Sequence, residues 1–498
     1  MKNGIAAESL TKTTARALRW NYAGMMTKIV LSFGINTLLA RLLGPRPFGE
    51  LAVAMIVFGF GNLLANIGLT SALIQKRDLE DGDIRFGFTC QMVVGTVLMI
   101  ALVASAPFWA AFFHDEKLVL LLRVFSTLFV LQAFGTTSTA LLNRAQNVQV
   151  IQTNAILSYL VGYLLIGVPM AMLHYGIWSL VAAWLSQAFL NSALMYLRCR
   201  HSLAPLFDLS RLPLLAFGFR VLASNICSWG ISNLDNTIVA RTAGPVMLGY
   251  YSRAFTLASM ADSVTSGLLQ VLLPAFSRIQ HDTEKLRNAY PSVFGLLLLA
   301  LLPGMAAVSS VAGVVVVGLY GEKWAPAIEY IRPIALALAI NAVMAISGPL
   351  LAARGRPDKD FRRQIIAVVI AFVAYVLSVK ISVLALSWTV LLVYVIRLVL
   401  LVDAVNQEIG SRWMDLLRCS YGALFLACIC AASAKVLEVA LHFQNAFLRL
   451  LVVAGADFLV YVVLIVAFGK FFVGPCLARS PQLSELIPRK VRRWVTTE

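Results

Sequence analysis

Among the charged residues inside apolar stretches long enough to cross a membrane, Lys28, Asp235, Arg253 and Asp262 are the leading candidates for chemistry. A charge at membrane depth costs at least about 2.5 to 3.5 kcal/mol, so each needs a partner, a water-filled cavity or a route to the interface. Lys28 offers an ammonium that can attract an anionic head in a cavity. The same side chain can instead snorkel to the headgroups along its alkyl stem. Asp235 and Arg253 flank Gly244-Pro245, and antiparallel helices joined there would set them at similar depth, within about 6 Å. Such a pair either only lowers the cost of both charges or lets Asp235 exchange its partner or proton during a cycle. Asp262 is the other carboxylate placed for proton coupling. Arg123 and Arg332 occupy corresponding places near the ends of two spans, as interfacial anchors or as substrate contacts.

Uncharged polar residues form a second set. Asn62 with Asn66, and Gln187 with Asn191, are i, i+4 pairs, each on one face of a helix. Amides on one face can line a hydrated path that binds hydroxyls, or can hold helices together for about 0.6 to 2 kcal/mol. No GxxxxGK[ST] loop is present to cradle a nucleotide, and no HExxH or paired-cysteine spacing to hold a metal. The seven cysteines are scattered, with Cys428 and Cys430 inside an apolar run, so they read as packing residues. No cofactor is expected, and energy must come from an ion gradient (H+ or Na+), the membrane potential or consumption of product.

Those residues have to be positioned by membrane helices. The chain is 60% hydrophobic and 13% charged over 498 residues. Its mean hydropathy of +0.82 excludes an ordinary soluble protein. The net charge of +17 could suggest a nucleic-acid partner, but Lys and Arg gather in alternate loops, the positive-inside pattern. The first 20 residues are polar and basic, and the apolar stretch after them is long enough to remain as an anchor rather than a cleaved signal.

Apolar runs read as about fourteen transmembrane helices, near residues 21–43, 48–75, 84–108, 118–142, 150–173, 176–198, 215–243, 247–277, 290–319, 325–353, 364–382, 384–406, 416–438 and 446–474. Residues 36–54 repeat without a gap at 236–254. Asn36, Thr37, Ala40, Arg41, Gly44, Pro45, Gly49 and Ala54 recur as Asn236, Thr237, Ala240, Arg241, Gly244, Pro245, Gly249 and Ala254. A weaker echo relates Leu141-Leu142 ahead of Arg144 to Leu350-Leu351 ahead of Arg354. Six spans separate the strong copies, and an even number preserves direction, so the halves are parallel repeats. The expected chain is all-α: a cytoplasmic amphipathic N-terminus (1–20), an N-lobe of six helices (21–198), a cytoplasmic linker (199–214), a C-lobe of six (215–406), two C-terminal helices (407–474) and a basic tail (475–498). The charge bias places both termini in the cytoplasm, with Arg354, Arg356, Lys359, Arg362 and Arg363 in one inside loop.

The stretches ARLLGPRPFGELAVAMIVFGFGNLLANIGLTSALIQKRDL, SNLDNTIVARTAGPVMLGYYSRAFTLASM, LLPAFSRIQHDTEKLRNAY and LYGEKWAPAIEYIRPIALA resemble the polysaccharide-transport branch of the multidrug/oligosaccharidyl-lipid/polysaccharide (MOP) exporter superfamily, the Wzx-type flippases. The resemblance runs from about residue 20 to about residue 400. It implies a MOP/MATE-like fold in a bacterial inner membrane, and a flippase that turns a polyprenyl-diphosphate-linked oligosaccharide toward the periplasm for exopolysaccharide or lipopolysaccharide biosynthesis. Its implied partners are that lipid-linked sugar, membrane lipids, and polysaccharide polymerase and export machinery. The alternatives are a multidrug or peptidoglycan-precursor exporter of the same superfamily, and a membrane polysaccharide polymerase or ligase. A polymerase would need a larger outside loop than HDEK or GEKWAPAIEY offers.

Overall fold

Glycine followed by proline makes both turns that the repeat singles out. Gly44 and Gly244 have φ of 76° and 78°, a left-handed conformation open to a residue without Cβ. Pro45 and Pro245 then start the next helical arm, where a missing N–H costs nothing. The computed structural model describes residues 2–65, 73–74, 76, 78–208, 213–259, 265, 272, 274–441, 443 and 445–479.

The helices are α1 (Lys2–Leu43), α2 (Pro45–Ala65), α3 (Asp81–Phe113), α4 (Leu118–Arg144), α5 (Val148–Met172), α6 (Ile177–Arg198) and α7 (Pro213–Ala258, broken at Gly244). They continue with α8 (Thr283–Ser310), α9 (Ala312–Tyr320), α10 (Glu322–Ala353), α11 (Pro357–Val379), α12 (Val383–Ile409), α13 (Trp413–Ala440), α14 (Ala446–Phe472) and the short α15 (Gly474–Arg479). Among the described residues, twelve have the length and apolarity to cross a membrane. The other two of the fourteen expected spans fall on α7 and on the segment after it, where residues 260–264, 266–271 and 273 are outside the described set. This is an all-helical, multi-pass membrane protein. Large apolar side chains left exposed on single helices, such as Phe372 and Val373 on α11 or Phe458, Leu459 and Val463 on α14, fit contact with lipid rather than water.

The chain forms two compact units, Met1–Gly249 and Tyr250–Glu498. Inside the first, α3 packs on α4, α4 on α6, and α1 on α5. Asn36 of α1 donates to the Tyr159 hydroxyl of α5 at 3.0 Å. Residues Leu160–Gly167 of α5 are wound as a π-helix, and Gly162 there approaches α6 so closely that a Cβ would overlap the Ala183 carbonyl and crowd Gln187. The repeat also meets itself in this unit. A Cβ on Gly49 would overlap the Pro245 carbonyl, and one on Gly249 would overlap the Pro45 carbonyl, so each copy's second glycine admits the other copy's turn.

Inside the second unit, α8 packs on α13, α11 and α10 both pack on α12, and α14 lies against α13 and α9. Asp282 caps α8, accepting the Lys285 backbone N–H at 3.0 Å and pairing with its ammonium at 2.9 Å. These two contacts, the backbone one foremost, hold the Asp282 carboxyl below the usual range.

Candidate functional site

A neutral polar cavity lies among α2, α3, α4 and α6 of the first unit. One lobe of about 300 Å³ is lined by Gln132, Thr136 and Thr139 of α4 and by Trp184, Gln187 and Asn191 of α6. A second, of about 160 Å³, is lined by Asn62 of α2, Gln91 of α3, and again Gln132 and Thr136. Gln132 and Thr136 line both.

The sequence builds this cavity with alternating polar and very small residues. Gln132, Thr136 and Thr139 recur at i, i+4 and i+7 and so share a face of α4, as Gln187 and Asn191 do on α6. Beside them, Gly135 admits Ser192, whose hydroxyl donates to the Leu131 carbonyl at 2.6 Å. Gly95 likewise lets α3 approach the Phe129 carbonyl and Ala133. The helices thus touch at the small residues and part at the amides.

Among the described residues, no ionisable side chain lines either lobe. The Thr136 and Thr139 hydroxyls give their protons to the carbonyls of Gln132 and Gly135, at 2.7 and 2.8 Å, which leaves their oxygens free to accept. Asn191 Oδ1 is buried with no hydrogen-bond partner among the described residues, an acceptor aimed at an absent donor. The amides supply both donors and acceptors. This lining suits water or the hydroxyls of a neutral, hydroxyl-rich group, and has no carboxylate to hold a cation. Among the described residues no group of three or more His, Cys, Asp or Glu could hold a metal.

Of the residues singled out from the sequence, Asn62, Gln187 and Asn191 come together here. Asn66 and Asp262 lie outside the described residues. Lys28 is exposed on α1 and Arg123 on α4. Arg332 is exposed and pairs with Glu329 at 3.3 Å. Asp235, in the first unit, is buried and accepts from the Asn236 amide at 3.2 Å. Arg253, in the second, is buried and hydrogen-bonds to the Tyr320 hydroxyl. Gln91, Gln132 and Thr136 were not singled out from the sequence. The i, i+4 spacing of Gln132 and Thr136 is the signal that would have found two of them.

The second unit carries a set of charged contacts of its own. Arg397, midway along α12, donates to Gln364 Oε1 at 2.9 Å and to Asn341 Oδ1 at 3.3 Å. Glu408 of α12 receives Lys359 at 2.6 Å and Arg354 at 3.5 Å, and Arg363 meets Asp403 at 2.7 Å.

Comparison with known proteins gives a consistent result. Residues 38–329 match the family described as polysaccharide biosynthesis protein. The chain is 29% identical over 331 residues to the succinoglycan biosynthesis transport protein ExoT of Rhizobium meliloti (strain 1021), covering 66% of this chain and 67% of that one. In fold it is similar to the lipid II flippase MurJ in an inward closed conformation, with a TM-score of 0.68 at 14% identity over 89% of this chain and 98% of that one. It is also similar to an inward-facing multidrug resistance MATE transporter of the MOP superfamily, with a TM-score of 0.64 at 14% identity over 79% of this chain and 98% of that one.

Proposed function

Since the chain belongs to the polysaccharide biosynthesis protein family, we propose that it is a flippase that moves a polyprenyl-diphosphate-linked oligosaccharide from the cytoplasmic to the periplasmic leaflet of a bacterial inner membrane. The observation that carries this reading is the neutral amide and hydroxyl lining of the first unit's cavity, which suits sugar hydroxyls. A multidrug exporter that takes cations would need carboxylates in such a lining. The relative ExoT is named as a transport protein of succinoglycan biosynthesis, which agrees in substrate class.

In this reading the lobes 21–198 and 215–406 rock about a path across the membrane, and both termini stay cytoplasmic. Lys28, Arg123, Arg253 and Arg332 supply positive charge for the diphosphate, while Asn62, Asn66, Gln187 and Asn191 meet the sugar. Asp235 and Asp262 couple the cycle to a proton or sodium gradient. The polyprenyl tail stays in lipid, and polymerase and export machinery take the product.

Deleting the gene tests the reading. Lipid-linked repeat units should accumulate on the cytoplasmic leaflet, whereas short periplasmic units would mark a polymerase instead. Lys28→Ala should lower export at unchanged protein level, with Lys28→Arg retaining more; normal export by the Ala variant would leave Lys28 a snorkelling residue. The charge swap Asp235→Arg with Arg253→Asp should restore abundance but not transport. A swap that restores both would reduce these two residues to a structural pair.

A further inference from the structure

Among the described spans α14 holds the most apolar stretch, with a mean hydropathy of 2.7 over 18 residues, yet it carries a carboxylate near its centre. Asp457 is the twelfth of its 27 residues, about 3 Å along the axis from the midpoint. It is buried, 7% exposed, and lines a cavity of about 350 Å³ among α8, α9, α13 and α14. The described residues give it one hydrogen bond, to Ser433 Oγ of α13 at 2.6 Å, and no ion pair.

Among the described residues, no cation lines the cavity. α8 and α9 contribute apolar residues such as Gly304, Ala307 and Val315. α13 contributes Ser433 and the Cys430 thiol, and α14 adds Tyr461, whose hydroxyl donates to the Leu299 carbonyl at 3.4 Å. Lys435 is engaged elsewhere, with Glu438 at 2.5 Å, and Arg449 with the Glu438 carbonyl. An ionised carboxylate here would be an unpaired charge in the apolar interior.

The hydrogens can be counted. Ser433 Oγ lies 3.1 Å from the Cys430 carbonyl and 2.6 Å from Asp457 Oδ1. Both are acceptors if Asp457 is ionised, and a hydroxyl has one proton to give. One of the two contacts would then hold no hydrogen. With a proton on Asp457 the chain closes: the acid donates to Ser433, and Ser433 donates to Cys430.

We propose that Asp457 is a proton-binding site in the membrane interior, charged with a proton while it faces Ser433 and discharged through the adjoining cavity during transport. The coupling half of this proposal rests on the flippase reading; the bound proton does not. No carboxylate of this helix pair was among the coupling candidates read from the sequence.

The probe is N,N′-dicyclohexylcarbodiimide, which attacks protonated carboxyls from the lipid phase, with the modified residue located by mass spectrometry on the purified full chain at neutral pH. Asp457 should be modified in the wild type and in Asp457→Glu, at least tenfold above the background in Asp457→Asn. An unmodified Asp457 would overturn the proposal. The second measurement uses vesicles with an imposed pH gradient and a polyprenyl-diphosphate-linked sugar. Asp457→Asn, whose amide can still donate to Ser433, should keep wild-type abundance and Tm but lose the severalfold response of translocation to the gradient. An unchanged response would overturn the coupling role. Wild-type vesicles that move no lipid-linked sugar would instead remove the flippase reading, and with it the coupling, while the labelling result stands.

Discussion

Both units fasten the segment ahead of one helix with an arginine from the end of another. In the first, Arg144 at the end of α4 donates to the carbonyls of Leu73 at 3.0 Å, Ile74 at 3.2 Å and Lys76. In the second, Arg354 at the end of α10 donates to the Gln280 carbonyl at 2.6 Å and also faces Glu408, which Lys359 shares. The sequence there repeats, Ile74-Gln75 recurring as Ile279-Gln280. The latch survives in both copies, and in the second it also meets a carboxylate that Lys359 shares. The linings differ as well, with amides around the first unit's cavity and Arg397 held by Gln364 and Asn341 in the second. Backbone geometry has therefore been preserved between the copies, while side-chain charge has been free to diverge.

The strongest way to break this comparison is at the glycines. Gly49→Ala and Gly249→Ala should each cost about 1 to 3 kcal/mol, because the new methyl overlaps a backbone carbonyl that cannot rotate away. Gly34→Ala, where a Cβ meets nothing within 4 Å, should be neutral or stabilising by up to about 1 kcal/mol. Thermal unfolding in detergent measures both, and equal tolerance at all three sites would refute the close approach.

The latches come next. Arg144→Ala and Arg354→Ala should each destabilise by about 1 to 2 kcal/mol through lost charge-assisted bonds and stranded carbonyls. The loss at Arg354, which faces Glu408, should shrink between 0.1 and 1 M salt, as the screening length falls from about 10 to about 3 Å. A loss at Arg354 that salt leaves unchanged would remove Glu408 from that latch.

Gln132→Leu should move stability by less than either latch, since the residue lines open space. It should still reduce export, because the shared wall of the two lobes loses its hydrogen-bonding groups. Wild-type export from this variant would remove the cavity from the transport path.

The smallest effect belongs to Asp282. Its carboxyl is held below its unfolded value, so its contribution is present at neutral pH and fades as pH falls through that lowered value. Asp282→Asn keeps a capping oxygen and should shift the Tm only slightly, with the difference from wild type vanishing in acid.

How much of this could be read in the sequence depends on whether a feature leaves a side-chain signature. The Gly44 and Gly244 turns were legible because a positive φ before proline demands glycine. Asn62, Gln187 and Asn191 were legible as amides in apolar runs at helical spacing. Gln132 was passed over because its neighbour at i+4 is a threonine, a type that usually bonds its own helix. The Arg144 and Arg354 echo was visible, but its acceptors are backbone carbonyls, which any residue presents. Asp457 was lost in the most apolar of the described spans, where a single acid barely alters the hydropathy.

The π-wound stretch Leu160–Gly167 has a mechanical consequence. A wider turn stores one residue of slack, and returning it to α-geometry would release about 1.5 Å of rise and 100° of rotation into one end of α5. One flank of that stretch begins beside Tyr159, which holds α1 through Asn36, and within it Gly162 bears on Gln187. The helix is thus geared at one point to the strand of chain that carries Lys28 and at another to the wall of the cavity, so a change of winding would be felt as a turn at the first and a push at the second.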